Sequence, residues 1–314
     1  MNYAFNVMSV TGGKIMQKSI TVFVIMFFSG LFAVQSRAEI PLKIKFVQSV
    51  YAGAEETGLQ SPEGIGCTDD YFIVADTGND RLVKLMYENN VAKAAKLEIT
   101  VTSPLITQIN SRGDIYTLDG RDRRIFIASS NGLEKGYLSP KASPVARKML
   151  PRSFRIDSND NIYVLDISEG LVLVLDPEGR YVRHIPFPDE YGFFSDLAVD
   201  EQGIIYIVDS VNPAIYSTAA ESDKFTLITR NLQEFVNFPA NITLGPQGII
   251  FLMDKHGGNL ALLSRSGSFL GHKFSYGWKE SQFYYPAQIC ISPGGSMFVA
   301  DRNNNRVQIF AIEQ

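Results

Sequence analysis

A chain built from copies of one short unit must bury the sides of each copy against its neighbours, and such a repeat is the dominant feature of these 314 residues. Its marker is an aspartate that follows an apolar strand. The series is Asp76, Asp119, Asp166, Asp209, Asp254 and Asp301, at spacings of 43, 47, 43, 45 and 47 residues. Upstream of each aspartate stands a proline, at Pro62, Pro104, Pro151, Pro239 and Pro286, with Phe194 in that place in the fourth copy. The last copy is the clearest, reading YPAQICISPGGSMFVADRNNNRVQIFAI from Tyr285. It parses as a short strand, a Pro-Gly-Gly turn, a strand ending at Asp301, an Asn-rich turn and a third strand. A fourth, outer strand is missing from it.

The same unit occurs near the start as SPEGIGCTDDYFIVADTGNDRLVKL, from Ser61 to Leu85. The strand, Asp, polar turn and Arg of VADTGNDRLVKL and VADRNNNRVQIF, preceded by Pro-x-x-Ile, resemble the NHL repeat, and the resemblance implies a six-bladed β-propeller. The middle four copies keep the strands, the spacing and the Asp but lose most of the Asn-Arg signature. No Gly-His or Trp-Asp pair recurs, against the WD40 variety. The expected fold is an all-β, six-bladed β-propeller of four-stranded antiparallel blades. The blades fall near residues 62–102, 104–149, 151–190, 194–235, 239–279 and 286–314, in one domain over 39–314. The segment PLKIKFVQSVY, residues 41–51, is expected to join the last blade as its missing strand and so close the ring.

Ahead of this domain, residues 1–38 read as a signal peptide. Lys14 and Lys18 precede an apolar run from Ile20 to Val34, and Ser36-Arg37-Ala38 gives small residues at the positions a cleavage site needs. Met16 offers an alternative start. A retained membrane anchor is the competing reading, but a run of about 15 residues is short for a span. The expected location is periplasmic or secreted, with membrane contact only through an uncleaved signal segment, and the expected state is a monomer. A formal charge of −4 and a pI near 5.5 exclude a dedicated nucleic-acid binder. In an oxidising compartment the only cysteines, Cys67 and Cys290, have two outcomes: a disulfide between blades one and six, or two buried thiols. A bond would stabilise by about 4 kcal/mol in the chain-entropy model.

In a four-stranded blade, the turn between the second and third strands and the link to the next blade emerge on one face. That face is expected to gather Arg121, Arg123, Arg124, Lys141, Arg147, Lys148 and Arg152. They form either a docking patch for an anionic glycan or acidic protein, or a set of solvated loop charges. Aromatics of FSYGWKESQFYYP crowd the same face, and the sole tryptophan, Trp278, is the best placed for contact. Alternation along the inner strands sets an apolar face against small or polar residues expected near the axis. From these, Gln108, Arg155, Asp196, Asn241 and Gln288 form a candidate ligand pocket, and Arg155 with Asp196 is alternatively an internal ion pair.

The propeller resemblance brings two enzyme types into comparison. An amidating-lyase type needs histidines around the axis, whereas His184 and His272 fall on outer strands and His256 in a turn. A lactonase type needs oxygen ligands around a divalent cation, of which Asp196 and Asn241 supply a fragment. The six equivalent aspartates, each before a tight turn, are expected to hold backbone N–H groups. The reading is therefore an exported, non-catalytic binding or scaffold propeller with a protein or glycan partner, no cofactor and no assigned catalytic residue. A metal-dependent lyase or lactone hydrolase acting at the axial pocket is the alternative.

Overall fold

Blade strands of three to ten residues, broken by turns rich in Gly, Asn and Asp, leave each repeat only one way to pair its backbone: an antiparallel sheet with its own neighbours in sequence. The computed structural model describes residues 42–53, 57–145, 149–219 and 222–313, so the signal segment expected over 1–38 lies outside the described residues. Six four-stranded sheets result. From axis to rim, blade one holds Gly64–Cys67, Tyr71–Asp76, Arg81–Glu88 and Val91–Thr100, and blade two Pro104–Ile109, Ile115–Asp119, Arg124–Ala128 and Glu134–Tyr137. Blade three holds Pro151–Ile156, Ile162–Asp166, Leu171–Leu175 and Tyr181–Pro186, and blade four Phe194–Val199, Ile205–Asp209, Ala214–Ser217 and Thr226–Thr229. Blade five holds Pro239–Leu244, Ile250–Asp254, Asn259–Leu263 and Phe269–Lys273. Blade six is composite: Ile289–Ile291, Ser296–Asp301 and Arg306–Glu313 take Lys43–Val50 as their outer strand.

That composite blade closes the ring. Lys43 pairs with Glu313 and Val50 with Val307, antiparallel along the whole strand, so neither chain end leaves an open sheet edge at the join. The seam between blades six and one is further held by a disulfide, Cys67 to Cys290, between their inner strands. Rings interlock across it as well, Phe72 lying 4.7 Å and Tyr87 5.2 Å from Phe298, centroid to centroid.

Both faces of a blade are covered by other blades, so the middle strands are apolar without alternation. Leu171–Leu175, LVLVL, is buried at every position. On the inner strands the face expected to pack between blades does so: Ile65, Thr107, Phe154, Leu197, Ile242 and Ile289 are all buried.

The recurring aspartates hold the turns and links of one face together. Asp209 Oδ1 accepts the N–H groups of Phe193, Val211 and Asn212, and Oδ2 that of Gly192. Asp254 does the same with Phe238, His256, Gly257 and Asn237. In blades one and six the motif adds a side-chain shell. Asp76 Oδ2 takes Asn79 and Arg81, and Asp301 Oδ2 takes Asn304, Arg306 and Gln308. Arg306, 2% exposed, then donates onward to the carbonyls of Lys279 and Gln282 in the preceding link.

One irregularity positions the site. In blade three Pro151 pairs with Asp166 but Ser153 with Leu165, which leaves Arg152 as an extra residue, a β-bulge. Ser195 in blade four and Ala240 in blade five are extra in the same way.

Candidate functional site

An inner strand has no strand beyond it on the axis side, so its outward N–H and C=O groups need other partners. The polar residues expected near the axis supply them. Asn241 Oδ1 accepts the Ile289 N–H at 3.0 Å. Gln288 Oε1 accepts the N–H groups of Ile65, 3.0 Å, and Thr107, 3.3 Å, while its amide donates to the Thr107 carbonyl. Arg155 Nη2 donates to Asp196 Oδ2 at 2.8 Å and reaches past blade four to the Ile242 carbonyl at 3.2 Å. Asp196 Oδ2 also accepts Asn241 Nδ2, 2.6 Å, and the Ile242 N–H, 3.0 Å, and its Oδ1 accepts the Ser153 hydroxyl. Four of the five candidate pocket residues are thus brought together, each buried, in a network that runs from blade to blade. Gln108 stands apart, partly exposed and with no side-chain hydrogen bond among the described residues.

This arrangement bears on a divalent cation. Asp196 is the carboxylate a lactonase-type site would use, and four donors, one of them the Arg155 guanidinium, already occupy it. The donor set does not fit a cation. Among the described residues no three or more His, Cys, Asp and Glu side chains cluster as metal ligands. His184 lies on the outer strand of blade three, bonded to the Tyr181 hydroxyl, and His272 on that of blade five, bonded to the Phe235 carbonyl. His256 stacks on Phe238 in a turn.

Beside this network, at the end of the axis where the links emerge, lies a second charged group. Arg302 Nε donates to Glu63 Oε1 at 2.7 Å across the seam. Arg152, turned by its bulge, sits 5.3 Å over the Phe193 ring, and its Nε is buried without a hydrogen-bond partner. Lys255, first residue after Asp254, is partly buried, and its ammonium has no hydrogen bond or ion pair among the described residues. Burial holds the Lys255 ammonium below the usual lysine range, with Arg302 and Arg152 acting the same way and Glu63 opposing. Burial likewise lowers Arg152, against the pull of Asp196 and Glu63. Residues of blades one, three, five and six therefore share one electrostatic neighbourhood.

The expected basic patch separates into parts. Arg121 and Lys141 are exposed, and Arg124 is exposed over the Tyr137 ring, 4.0 Å away. Arg123 turns inward and donates to the Pro151 carbonyl, and Arg152 belongs to the axis rather than the rim. Arg147 and Lys148 lie outside the described residues. Around the face, Trp278 is 73% exposed at the tip of a loop pinned by the short parallel strands Ser275–Tyr276 and Gln282–Phe283. A groove of about 550 Å³ opens at blade four and the link before it, lined by Glu190, Val211, Pro213, Tyr216, Arg230 and Asn231. Glu63, Lys255 and Arg302 escaped the sequence reading. The available signal was register, since each follows the repeat's proline or aspartate by one residue.

Comparison with known proteins agrees on fold. The family model of the NHL repeat matches residues 283–310. No curated protein matches the sequence. Among solved structures, virginiamycin B lyase from Staphylococcus aureus is similar at 13% identity and a TM-score of 0.59, over 86% of this chain and 99% of that one. A gluconolactonase from Xanthomonas campestris is 13% identical with a TM-score of 0.63, over 87% and 90%. A protein of unknown function from Bacteroides thetaiotaomicron is 12% identical with a TM-score of 0.64, over 100% and 83%. Six four-stranded sheets around one axis make this chain a six-bladed β-propeller, and its last blade matches the NHL repeat.

Proposed function

We propose that this propeller is an exported binding module whose link-bearing face docks a protein or glycan partner. The observation that carries the reading is where exposed apolar surface collects. Of the ten large hydrophobic side chains exposed among the described residues, six lie in the links and turns of that one face: Tyr51, Leu150, Tyr191, Val211, Tyr276 and Trp278. Ring faces and aliphatic groups of this kind, beside a groove, suit stacking on sugars or anchoring a protein loop. The Cys67–Cys290 bond supports residence in the periplasm or outside the cell, because such bonds persist in oxidising compartments.

The competing reading, a metal-dependent lyase or lactone hydrolase acting at the axis, draws on the activities named for the similar structures. It would need Asp196 to release four donors before it could meet a cation or substrate.

Trp278 is the only tryptophan, so intrinsic fluorescence reports on this face alone. Adding fractionated envelope glycans or proteins should shift its emission to the blue and shield it from acrylamide, and Val211→Asp should weaken both effects. Emission and quenching unchanged by every fraction would remove the proposal.

A further inference from the structure

The geometry points to an oxyanion-binding site at the axial mouth, in which Arg152 and Lys255 receive a carboxylate or phosphate group beside the Arg302–Glu63 pair. Arg152, Lys255 and Arg302 share one electrostatic neighbourhood with Glu63, and Arg152 also feels Asp196, the partner of Arg155. Each carboxylate is already paired, Asp196 with Arg155 and Glu63 with Arg302, at 2.8 and 2.7 Å. The remaining two cations have no anion. Arg152 keeps a buried Nε–H with no acceptor, and the Lys255 ammonium has no partner among the described residues. Removing charged donors from water without an acceptor is unfavourable, and the penalty is largest where the local dielectric is low. A fold that held them so without a ligand would gain by replacing them with apolar residues.

The backbone is arranged to bring them there. The bulge at Arg152 re-aims a side chain at the first turn of an inner strand, a recurrent use of bulges beside ligand sites. Lys255 is delivered from blade five, in the turn after Asp254, whose carboxylate is occupied by four N–H groups and leaves the ammonium uncompensated. The Phe193 ring lies 5.3 Å from the Arg152 guanidinium carbon, a cation–π contact that leaves its N–H groups for an oxyanion, which a guanidinium can hold by two parallel bonds. The buried hydroxyls of Ser195 and Ser210 both donate to the Pro239 carbonyl and so stiffen the wall between blades four and five. Trp278 and the rim take no part, so this site stands or falls independently of partner docking.

The test uses the mature, disulfide-intact protein and three probes at constant ionic strength: inorganic phosphate, citrate and, as a control for screening, chloride. A saturable rise in Tm with phosphate identifies a phosphate-type ligand, and one with citrate a carboxylate type. Chloride should give neither. Arg152→Met and Lys255→Met should each weaken the affinity by about 10- to 100-fold, the loss expected for a hydrogen bond to a charged group. Arg121→Ala, on the exposed rim, should leave it unchanged. Because Lys255→Met removes an unpaired, partly buried charge, the ligand-free variant should melt no lower than the parent, so loss of binding cannot be mistaken for unfolding. Equal Tm responses to all three anions, or a phosphate or citrate response that survives in both Met variants, would overturn the site.

Discussion

The ionisation of Lys255 bears directly on stability at the axial mouth. Its folded pKa lies below the ordinary lysine value of 10.5, chiefly through burial and secondarily through Arg302 and Arg152. The unfolded chain therefore holds this proton more tightly than the folded one. Stability must rise with pH between the lowered folded value and 10.5, and the penalty is fully present below that window. Lys255→Met abolishes the effect. Its Tm advantage over the parent, measured without ligand, should thus be greatest at neutral pH and shrink towards pH 10. An advantage that grew with pH would show the ammonium to be stabilised by its surroundings, which the absence of a partner among the described residues denies. Arg306 shows the opposite circumstance. It is among the largest fully buried side chains of the fold, yet it meets an acceptor at every turn: Asp301, the Lys279 and Gln282 carbonyls and the Tyr51 hydroxyl.

At the scale of the element, a blade is held at one end by its aspartate. Asp209 accepts four N–H groups, two from the link before the blade and two from the turn after its second strand. Asp209→Ala would leave these donors to find water or strain, and should lower stability by about 3 kcal/mol. Asp209→Asn keeps one acceptor oxygen and should lose less. Urea unfolding of the two variants, with unchanged slope, would distinguish them; equal midpoints would mean that the carboxylate does not carry the link. These strands were legible from the sequence because aspartate, proline and turn residues recur in phase with apolar runs, and because six copies reinforce one another. The bulge at Arg152 was not legible. Nothing in PRSFRI distinguishes six paired residues from five paired with one extra, and the choice is made by the Pro151–Asp166 and Ser153–Leu165 pairs of the folded sheet. For the same reason the axial residues Arg155, Asp196, Asn241 and Gln288 were legible as a group, but their engagement with inner-strand backbone was not. It depends on which N–H groups lack a neighbouring strand, and only closure of the ring decides that.

At the scale of the whole molecule, five of the six blades are continuous in sequence and one is assembled from both ends of the chain. Local turns hold a continuous blade together, whereas the sixth depends on contacts separated by more than two hundred residues. It follows that the join is where entropy of the unfolded chain is most strongly opposed to folding. Three devices of different kind meet there: the outer strand Lys43–Val50, the Arg302–Glu63 pair, and the disulfide across a separation of 223 residues. Replacing both cysteines by serine removes only the third, and should lower the unfolding free energy by about 2–4 kcal/mol while leaving the native circular dichroism spectrum intact. Deleting residues 42–50 removes the first and strips Phe46 from Phe310, 5.9 Å away, so it exposes a sheet edge and an apolar face at once. That truncation should abolish cooperative unfolding even with the disulfide formed, because a covalent tie brings the inner strands together but cannot satisfy the open edge of Arg306–Glu313. Retention of a single sharp transition in the truncated protein, at a midpoint within a few degrees of the parent, would show that the ring does not depend on its N-terminal strand.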